Sequence, residues 1–300
     1  MKLSVITPLY NGKRYVNDLI LMISQAAEYA RVHRTGHIEV EYILVNDSPW
    51  EQLEEDGILK KAKNSGINII YICNDSNSGI HKSRVNGVRS ASGEYIMFLD
   101  QDDEIPRNSL ASLMSGIQES KNDVIVGNGY RKYPDGRLVP LYESKIAIQL
   151  AKRENAYIRG TDMIFSPGQC LIKRKSIPAE WMSDILEING CDDFYLWLIM
   201  LDKGCSIKGV WENVYYHVES QENYSNSSED MNESYMNMCS HLERLDNYPD
   251  KKVRILRRRQ NLKRMLKSDN SMKKQAKIAL IMKNIDVILM TLLYKMAGYR

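Results

Sequence analysis

Two hydrophobic rhythms alternate along the first 130 positions. Short apolar runs rich in β-branched residues are separated by stretches in which apolar residues recur at steps of three and four. Residues 2–8 form the first run, ending at Pro8. Val16, Leu19, Ile20, Ile23 and Ala27 then share one face of a helix over 15–31, and residues 40–45 form a second extended run. The spacing continues as helix over 51–64, strand over 67–73, helix over 81–90, strand over 95–99, helix over 109–119 and strand over 123–127. Strands that alternate with helices imply right-handed crossovers and a mostly parallel, doubly wound α/β sheet. Runs such as 67–72, with almost no polar alternation, suit strands covered on both faces.

After Gly129 the rhythm changes. Pro134-Asp135-Gly136 is a turn signature between two short extended pieces and predicts a hairpin. Helix over 146–156, strand over 169–173, helix over 194–202 and strand over 206–216 follow. The polar stretch 224–228 divides a body, residues 1–225, from a helical extension, residues 226–300.

Composition adds bounds. With 300 residues, 43% hydrophobic and 26% charged, the chain reads as globular, and disorder and low-complexity classes fall away. Cys73, Cys170, Cys191, Cys205 and Cys239 are scattered and never spaced C-x-x-C. That argues against a disulfide framework and a structural zinc, and for a reducing compartment. The first apolar run is too short for a signal peptide. Lys283, Asn284, Asp286 and Lys295 interrupt the longest apolar stretch, 278–297, which argues against a simple membrane span. A cytoplasmic location is expected.

Charge is distributed unevenly. Residues 251–300 carry 15 Lys plus Arg against Asp269 and Asp286, a balance of +13; since the whole chain is +3, the first 250 residues carry −10. Within this basic tail Ile278, Ile281, Ile285, Ile288, Leu289, Leu292 and Met296 would form one apolar helical stripe flanked by lysines. The pattern fits either an interfacial helix on the inner face of a membrane or packing against the body. No folded nucleic-acid motif accompanies it, so nucleic acid is not an expected partner.

In an open parallel sheet, ligands gather beyond the carboxyl ends of the strands. The first strand exits into Pro8-Leu9-Tyr10-Asn11-Gly12, without the glycine fingerprints of dinucleotide binders or phosphate loops. The second exits at Asn46-Asp47-Ser48, where Asp47 is either a functional carboxylate or a helix cap. The fourth runs into Asp100-Gln101-Asp102-Asp103-Glu104. Carboxylates this crowded raise one another's pKa unless a cation compensates, and oxygen donors of this kind suit Mg²⁺ or Mn²⁺. A solvated acidic loop ahead of a helix is the alternative. Asp192-Asp193 precede an apolar helical run, as N-terminal helix carboxylates or as a general base. His217 is a strand-end histidine or a ligand. Trp181, in the 180–189 loop, offers a sugar-stacking face or a buried anchor.

Taken in order, these segments resemble the inverting glycosyltransferases of family 2, with the GT-A fold. The likeness is carried by residues 4–11, by Asn46-Asp47-Ser48, and by the block 77–103 with Gly79, Arg84, Gly87, Gly93 and Asp100-Gln101-Asp102-Asp103. Residues 166–174 and 192–198 continue it, so that it covers roughly residues 2–225. The resemblance implies a nucleotide-sugar donor, a UDP-sugar first among them, and a saccharide or lipid-linked acceptor in cell-envelope polysaccharide or glycan synthesis. Pro8, Tyr10, Asn11, Asp47 and Gln101 would lie at the nucleotide-sugar site, with Arg84 beside the diphosphate. Asp100 and Asp102 would match the D-x-D motif, Asp100 reaching ribose and metal and Asp102 the metal. His217 would be a further metal or phosphate contact, and Asp103 an additional one. Asp193 would deprotonate the acceptor, with Asp192 beside it.

The chain departs from the usual pattern in having Asn46, Asp192 and Val85 where the family often has acidic, Glu and Asn residues. These changes bear on donor detail and on which of Asp192 and Asp193 is the base. A nucleotidyltransferase would be expected to carry a Gly-rich basic loop after strand one, which is missing. The intact Asp100, Asp102 and Asp193 argue against a degenerate sugar-nucleotide-binding subunit.

Overall fold

The computed structural model describes residues 1–33, 37–53, 66–119, 122–220, 227–268 and 274–299. Its centre is an eight-stranded sheet. β1 (Lys2–Leu9) lies between β2 (Glu39–Asn46) and β4 (Tyr95–Phe98), and β3 (Asn68–Cys73) flanks β2, all in parallel. β7 (Cys170–Lys173) runs antiparallel between β4 and β5 (Val124–Lys132). β5 also pairs antiparallel with β6 (Leu138–Pro140) and parallel with β8 (Ile207–Val218).

Every residue of β1 after Lys2 is buried, Ser4 and Thr7 included. A strand without an exposed face needs cover on both sides. Helices supply it: α1 (Val16–His33) packs on α3 (Ser109–Glu119), and α2 (Ile80–Ser90) on β1 and β2. The stripe read from the sequence, Val16, Leu19, Ile20, Ile23 and Ala27, is the buried face of α1. Each Val, Leu or Ile so buried contributes about 1.5–3 kcal/mol. The turn at Pro134-Asp135-Gly136 joins β5 to β6, with Gly136 at φ 83°, and Tyr133 N donates to Arg137 O at 3.0 Å. Gly tolerates that left-handed angle without strain.

The helix expected over 51–64 lies outside the described residues from position 54 onward. The helix expected over 146–156 is instead α4 (Lys145–Gln149), a 3₁₀ turn (Leu150–Lys152) and a π turn (Ala156–Gly160). Arg153 is extended between them, and the Tyr157 hydroxyl donates to Ala151 O at 2.8 Å, fixing the break. After α5 (Ala179–Ser183), α6 (Asp192–Asp202) begins two residues earlier than the apolar pattern predicts, so that both acidic residues sit in its first turn.

The extension contains α7 (Ser228–Arg244), α8 (Asp250–Ser268), α9 (Lys274–Lys283) and α10 (Ile285–Met296). Much of the positive charge of α8 is used internally. Lys252 pairs with Glu154 and Asp202, Arg257 with Glu243, and Arg258 with Asp286. The stripe expected along one tail helix is broken at Asn284, whose side-chain amide donates to Leu280 O at 2.8 Å in a non-helical conformation. Ile278, Ile281, Ile285, Leu289, Leu292 and Met296 face outward, while Val287 and Tyr294 face the body. Among the described residues no helix is long and apolar enough to cross a membrane.

Candidate active site

Three strand exits meet at one edge of the sheet. Gln101, just past β4, grips the chain just past β1: its amide oxygen accepts from Tyr10 N at 2.9 Å and its amide nitrogen donates to Tyr10 O at 3.1 Å. A side chain at Gly12 would place a Cβ 2.3 Å from that amide oxygen and push Gln101 off Tyr10. Asn11 is the one non-glycine residue at positive φ (47°) among the described residues. Its N–H donates to Ser48 Oγ at 2.8 Å, and its side-chain oxygen accepts from the Trp50 indole at 2.9 Å. Tyr10, Asn11 and Gln101 thus lie together at this edge, with Pro8 just before them on β1, and Trp50 joins them. Tyr10 and Trp50 are 49% and 59% exposed with ring centroids 6.1 Å apart, edge to face, an aromatic surface open to solvent. Trp50 carried no motif; only its proximity to the Asp47 turn hinted at it.

Asp47 is buried and already engaged. One oxygen accepts from Asn74 Nδ2 and Ser78 N, both at 2.7 Å, and the other from Gly79 N at 2.8 Å. It caps the turn that opens α2, not the segment after Pro49. Arg84, expected beside a diphosphate, is buried between two carboxylates. It donates to Asp100 at 2.5 Å and to Asp192 at 2.7 Å. Charge-assisted bonds of this kind are stronger than neutral ones, so the guanidinium clamps the β4 exit to the start of α6.

The acidic run after β4 divides into separate tasks. Asp103 accepts from Val218 N at 3.0 Å, pairs with His217 Nδ1 at 3.1 Å and receives the Tyr215 hydroxyl, stitching β4 to β8. Glu104 forms an ion pair with Lys132 at 2.8 Å. The residues predicted to hold a metal are therefore not assembled as one set: Asp100 faces Arg84, and His217 faces Asp103. Among the described residues no group of three or more His, Cys, Asp or Glu could hold an ion, and no Lys or Arg pairs with Asp102. Burial and the charges of Asp103 and Asp100 push the Asp102 carboxyl up to about 6. This donor set, one half-buried carboxylate with only the His217 charge to offset it, fits a hard cation only where other oxygens complete its shell.

Asp193, in the first turn of α6, accepts from Phe194 N at 2.6 Å. A helix N-terminus favours the anion. Burial and the charge of Asp192 outweigh that and the pull of Arg84, raising the Asp193 carboxyl to about 7. Asp162, which no sequence motif marked, faces the same region. Burial and the charge of Asp193 raise it well above the ordinary carboxylate value, against a partial pull from Arg259 of α8. The Arg259 guanidinium lies 5.4 Å over the Phe194 ring. The Tyr299 hydroxyl donates to Asp162 O, so the end of the extension holds the chain at this carboxylate. Trp181 is fully buried, which removes it as a stacking face.

The cluster combines a carboxyl titrating near neutrality, a clamped carboxylate at a strand end and an open aromatic surface. It can take a proton from a hydroxyl in a site built at the strand exits.

The family model described as "Glycosyl transferase family 2" matches residues 4–179, and Asp192, Asp193 and His217 lie beyond that match. Glycosyltransferase GlyA of Streptococcus pneumoniae is 30% identical over 130 residues, 43% of this chain and 17% of that protein. Poly(ribitol-phosphate) beta-N-acetylglucosaminyltransferase TarS of Staphylococcus aureus is 30% identical over 141 residues, 47% of this chain and 22% of that protein. The chain spans well under half of the length of these curated relatives. The structure of S. aureus TarS 1–349 in complex with UDP-GlcNAc shares the fold with a TM-score of 0.60 at 20% identity, covering 96% of this chain and 82% of that one. With the matched model spanning more than half of its length and the fold shared, the chain belongs to glycosyl transferase family 2.

Proposed function

We propose that the protein transfers one sugar from a UDP-sugar to a hydroxyl of a saccharide or lipid-linked acceptor in cell-envelope polysaccharide synthesis, inverting the anomeric centre. The observation that carries this reading is Asp193, a carboxyl raised to about 7 and placed next to the strand-exit cluster. At neutral pH a large fraction is deprotonated and still basic enough to accept a proton. Asp193 takes the proton of the acceptor hydroxyl as its oxygen forms a bond to the anomeric carbon. The bond from that carbon to the diphosphate breaks on the opposite face, and the nucleoside diphosphate leaves with the bonding pair. UDP-GlcNAc and UDP are bound in structures of S. aureus TarS, which supports a uridine donor here.

Tyr10 and Trp50 supply the surface against which the nucleobase rests, beside Pro8 and Asn11. Asp102 would hold Mg²⁺ or Mn²⁺ together with diphosphate oxygens, and such an ion offsets the charge growing on the leaving group. Arg84 acts from beneath, fixing Asp100 and Asp192. The outward apolar stripe of α9 and α10, flanked by Lys283 and Lys295, is the surface by which the protein rests on an anionic membrane.

Calorimetric titration with UDP, GDP and dTDP, each with Mn²⁺ and then EDTA, tests the proposal. Metal-dependent binding of UDP alone is the expected result. A folded protein that binds none of the three overturns the donor assignment.

A further inference from the structure

α2 holds the 181–192 segment along one side. The Asn189 side-chain oxygen accepts from Ile80 N at 3.1 Å, and Arg84 donates to the Asp192 carboxylate at 2.7 Å. One turn before Arg84, His81 is buried against the Trp181 indole with ring centroids 4.5 Å apart. The two ring nitrogens of His81 have different partners. Leu186 N–H lies 3.0 Å from Nδ1 and can only donate, so Nδ1 is the acceptor and carries no proton. The single ring proton is therefore on Nε2, which donates to Trp181 O at 3.0 Å. The buried imidazole is kept neutral, its pKa lowered by desolvation.

The Trp181 indole N–H in turn donates to the carbonyl of Asp192 at 2.8 Å. That carbonyl belongs to the peptide joining Asp192 to Asp193, so the same peptide plane is fixed by the indole on one side and leads to the base on the other. A planar peptide leaves φ and χ1 of Asp193 as the soft dihedrals between this fixed oxygen and the carboxyl carbon. None of this depends on the strand-exit motifs, and His81 and Trp181 are both buried away from solvent.

We infer that His81 and Trp181 are positioning residues for the base. The imidazole sets the indole, the indole sets the Asp192–Asp193 peptide, and that peptide sets where the Asp193 carboxyl stands. The inference rests on Asp193 being the base. Misplacing a reacting group by about 1 Å costs on the order of 10²-fold in rate, so loss of the indole bond should lower kcat about 10- to 100-fold with KM unchanged.

The test compares Trp181→Phe with Trp197→Phe. Trp197 is fully buried one turn past Asp193 on α6, and its indole nitrogen has no hydrogen-bond partner among the described residues, so its replacement removes similar volume without removing a bond seen there. Three readouts are taken: release of UDP from UDP-glucose and UDP-N-acetylglucosamine, UDP affinity, and titration of the Asp193 carboxyl by carbon-13 NMR. The NMR signal is assigned by its loss in Asp193→Asn. Trp181→Phe should lower kcat, leave KM and UDP affinity unchanged, and move the Asp193 midpoint down from about 7 as the loosened carboxyl meets water. Trp197→Phe should leave all three at their wild-type values. His81→Gln, whose amide can both accept and donate, should retain more activity than His81→Leu. Equal effects of the two tryptophan variants, or an unchanged Asp193 titration in Trp181→Phe, would overturn the inference. A wild-type protein that consumes neither sugar nucleotide, while Trp181→Phe alone shifts the titration, would sink the glycosyl-transfer reading and leave the positioning chain standing.

Discussion

The two walls of the candidate site are built differently. The donor wall, at the exits of β1, β2 and β4, is fixed by strand register and short reciprocal bonds such as those between Gln101 and Tyr10. The base wall, from Tyr157 to Asp193, contains turns and short helices on either side of β7, held by side chains from far along the chain: Arg84 and His81 from α2, Arg259 from α8, which reaches Tyr157 O, and Tyr299 from the end of the extension. In the donor wall, strand register carries most of the placement. A wall made of side-chain contacts is only as well placed as each contact.

The largest separation of the two walls should come from Asp193→Asn. Removing a general base costs typically 10²- to 10⁴-fold in rate. We expect a loss of kcat in that range with UDP affinity, measured by calorimetry, unchanged; normal turnover would move the base to Asp192. Next is Arg84→Met, which leaves Asp100 and Asp192 buried without their shared partner. Breaking a buried pair costs roughly 3–5 kcal/mol, so thermal unfolding should shift down by many degrees and both walls should fail together. Loss of turnover alone, with stability intact, would show that the clamp is not structural.

A subtler contrast is Asp192→Asn. The charge of Asp192 raises the Asp193 carboxyl, so removing it should lower that pKa. Activity that requires deprotonated Asp193 rises with pH through this value, and the rising limb of the pH–rate profile should therefore move to lower pH. An unmoved limb would separate the charge of Asp192 from the base. The smallest effect on the enzyme itself belongs to Leu289→Glu with Leu293→Glu, on the exposed face of α10. Stability should change by no more than about 0.5 kcal/mol per site. Binding to phosphatidylglycerol vesicles should fall sharply, and unchanged partitioning would end the membrane proposal. Point substitutions suit this test better than deleting residues 271–300, because such a deletion also removes Tyr299 from beneath Asp162.

The contrast between walls also explains what the sequence made legible. The alternation of runs and stripes located β1 to β4 and α1 to α3 because strand and helix periods are local properties. The ordered motifs singled out Tyr10, Gln101, Asp102 and Asp193 as candidates. Their partnerships were not legible: nothing near Arg84 announces that two carboxylates 16 and 108 positions away will occupy it. The same holds for His217, which Asp103 engages from across the sheet. Asp162 and Trp50 carry no pattern because their surroundings come from distant segments. In the tail the stripe was legible and its direction was not, since inward burial of Val287 and Tyr294 is set by what lies beneath them.

One guanidinium shared by both walls has a thermodynamic consequence. Arg84 binds Asp100 of the donor wall and Asp192 of the base wall with opposite ends of the same rigid plane. A ligand that draws on Asp100 changes the free energy of the contact with Asp192, and the reverse change has the same size by linkage. Whatever factor occupancy on one side applies to affinity on the other, the reverse factor is the same, and a single buried side chain carries part of that coupling.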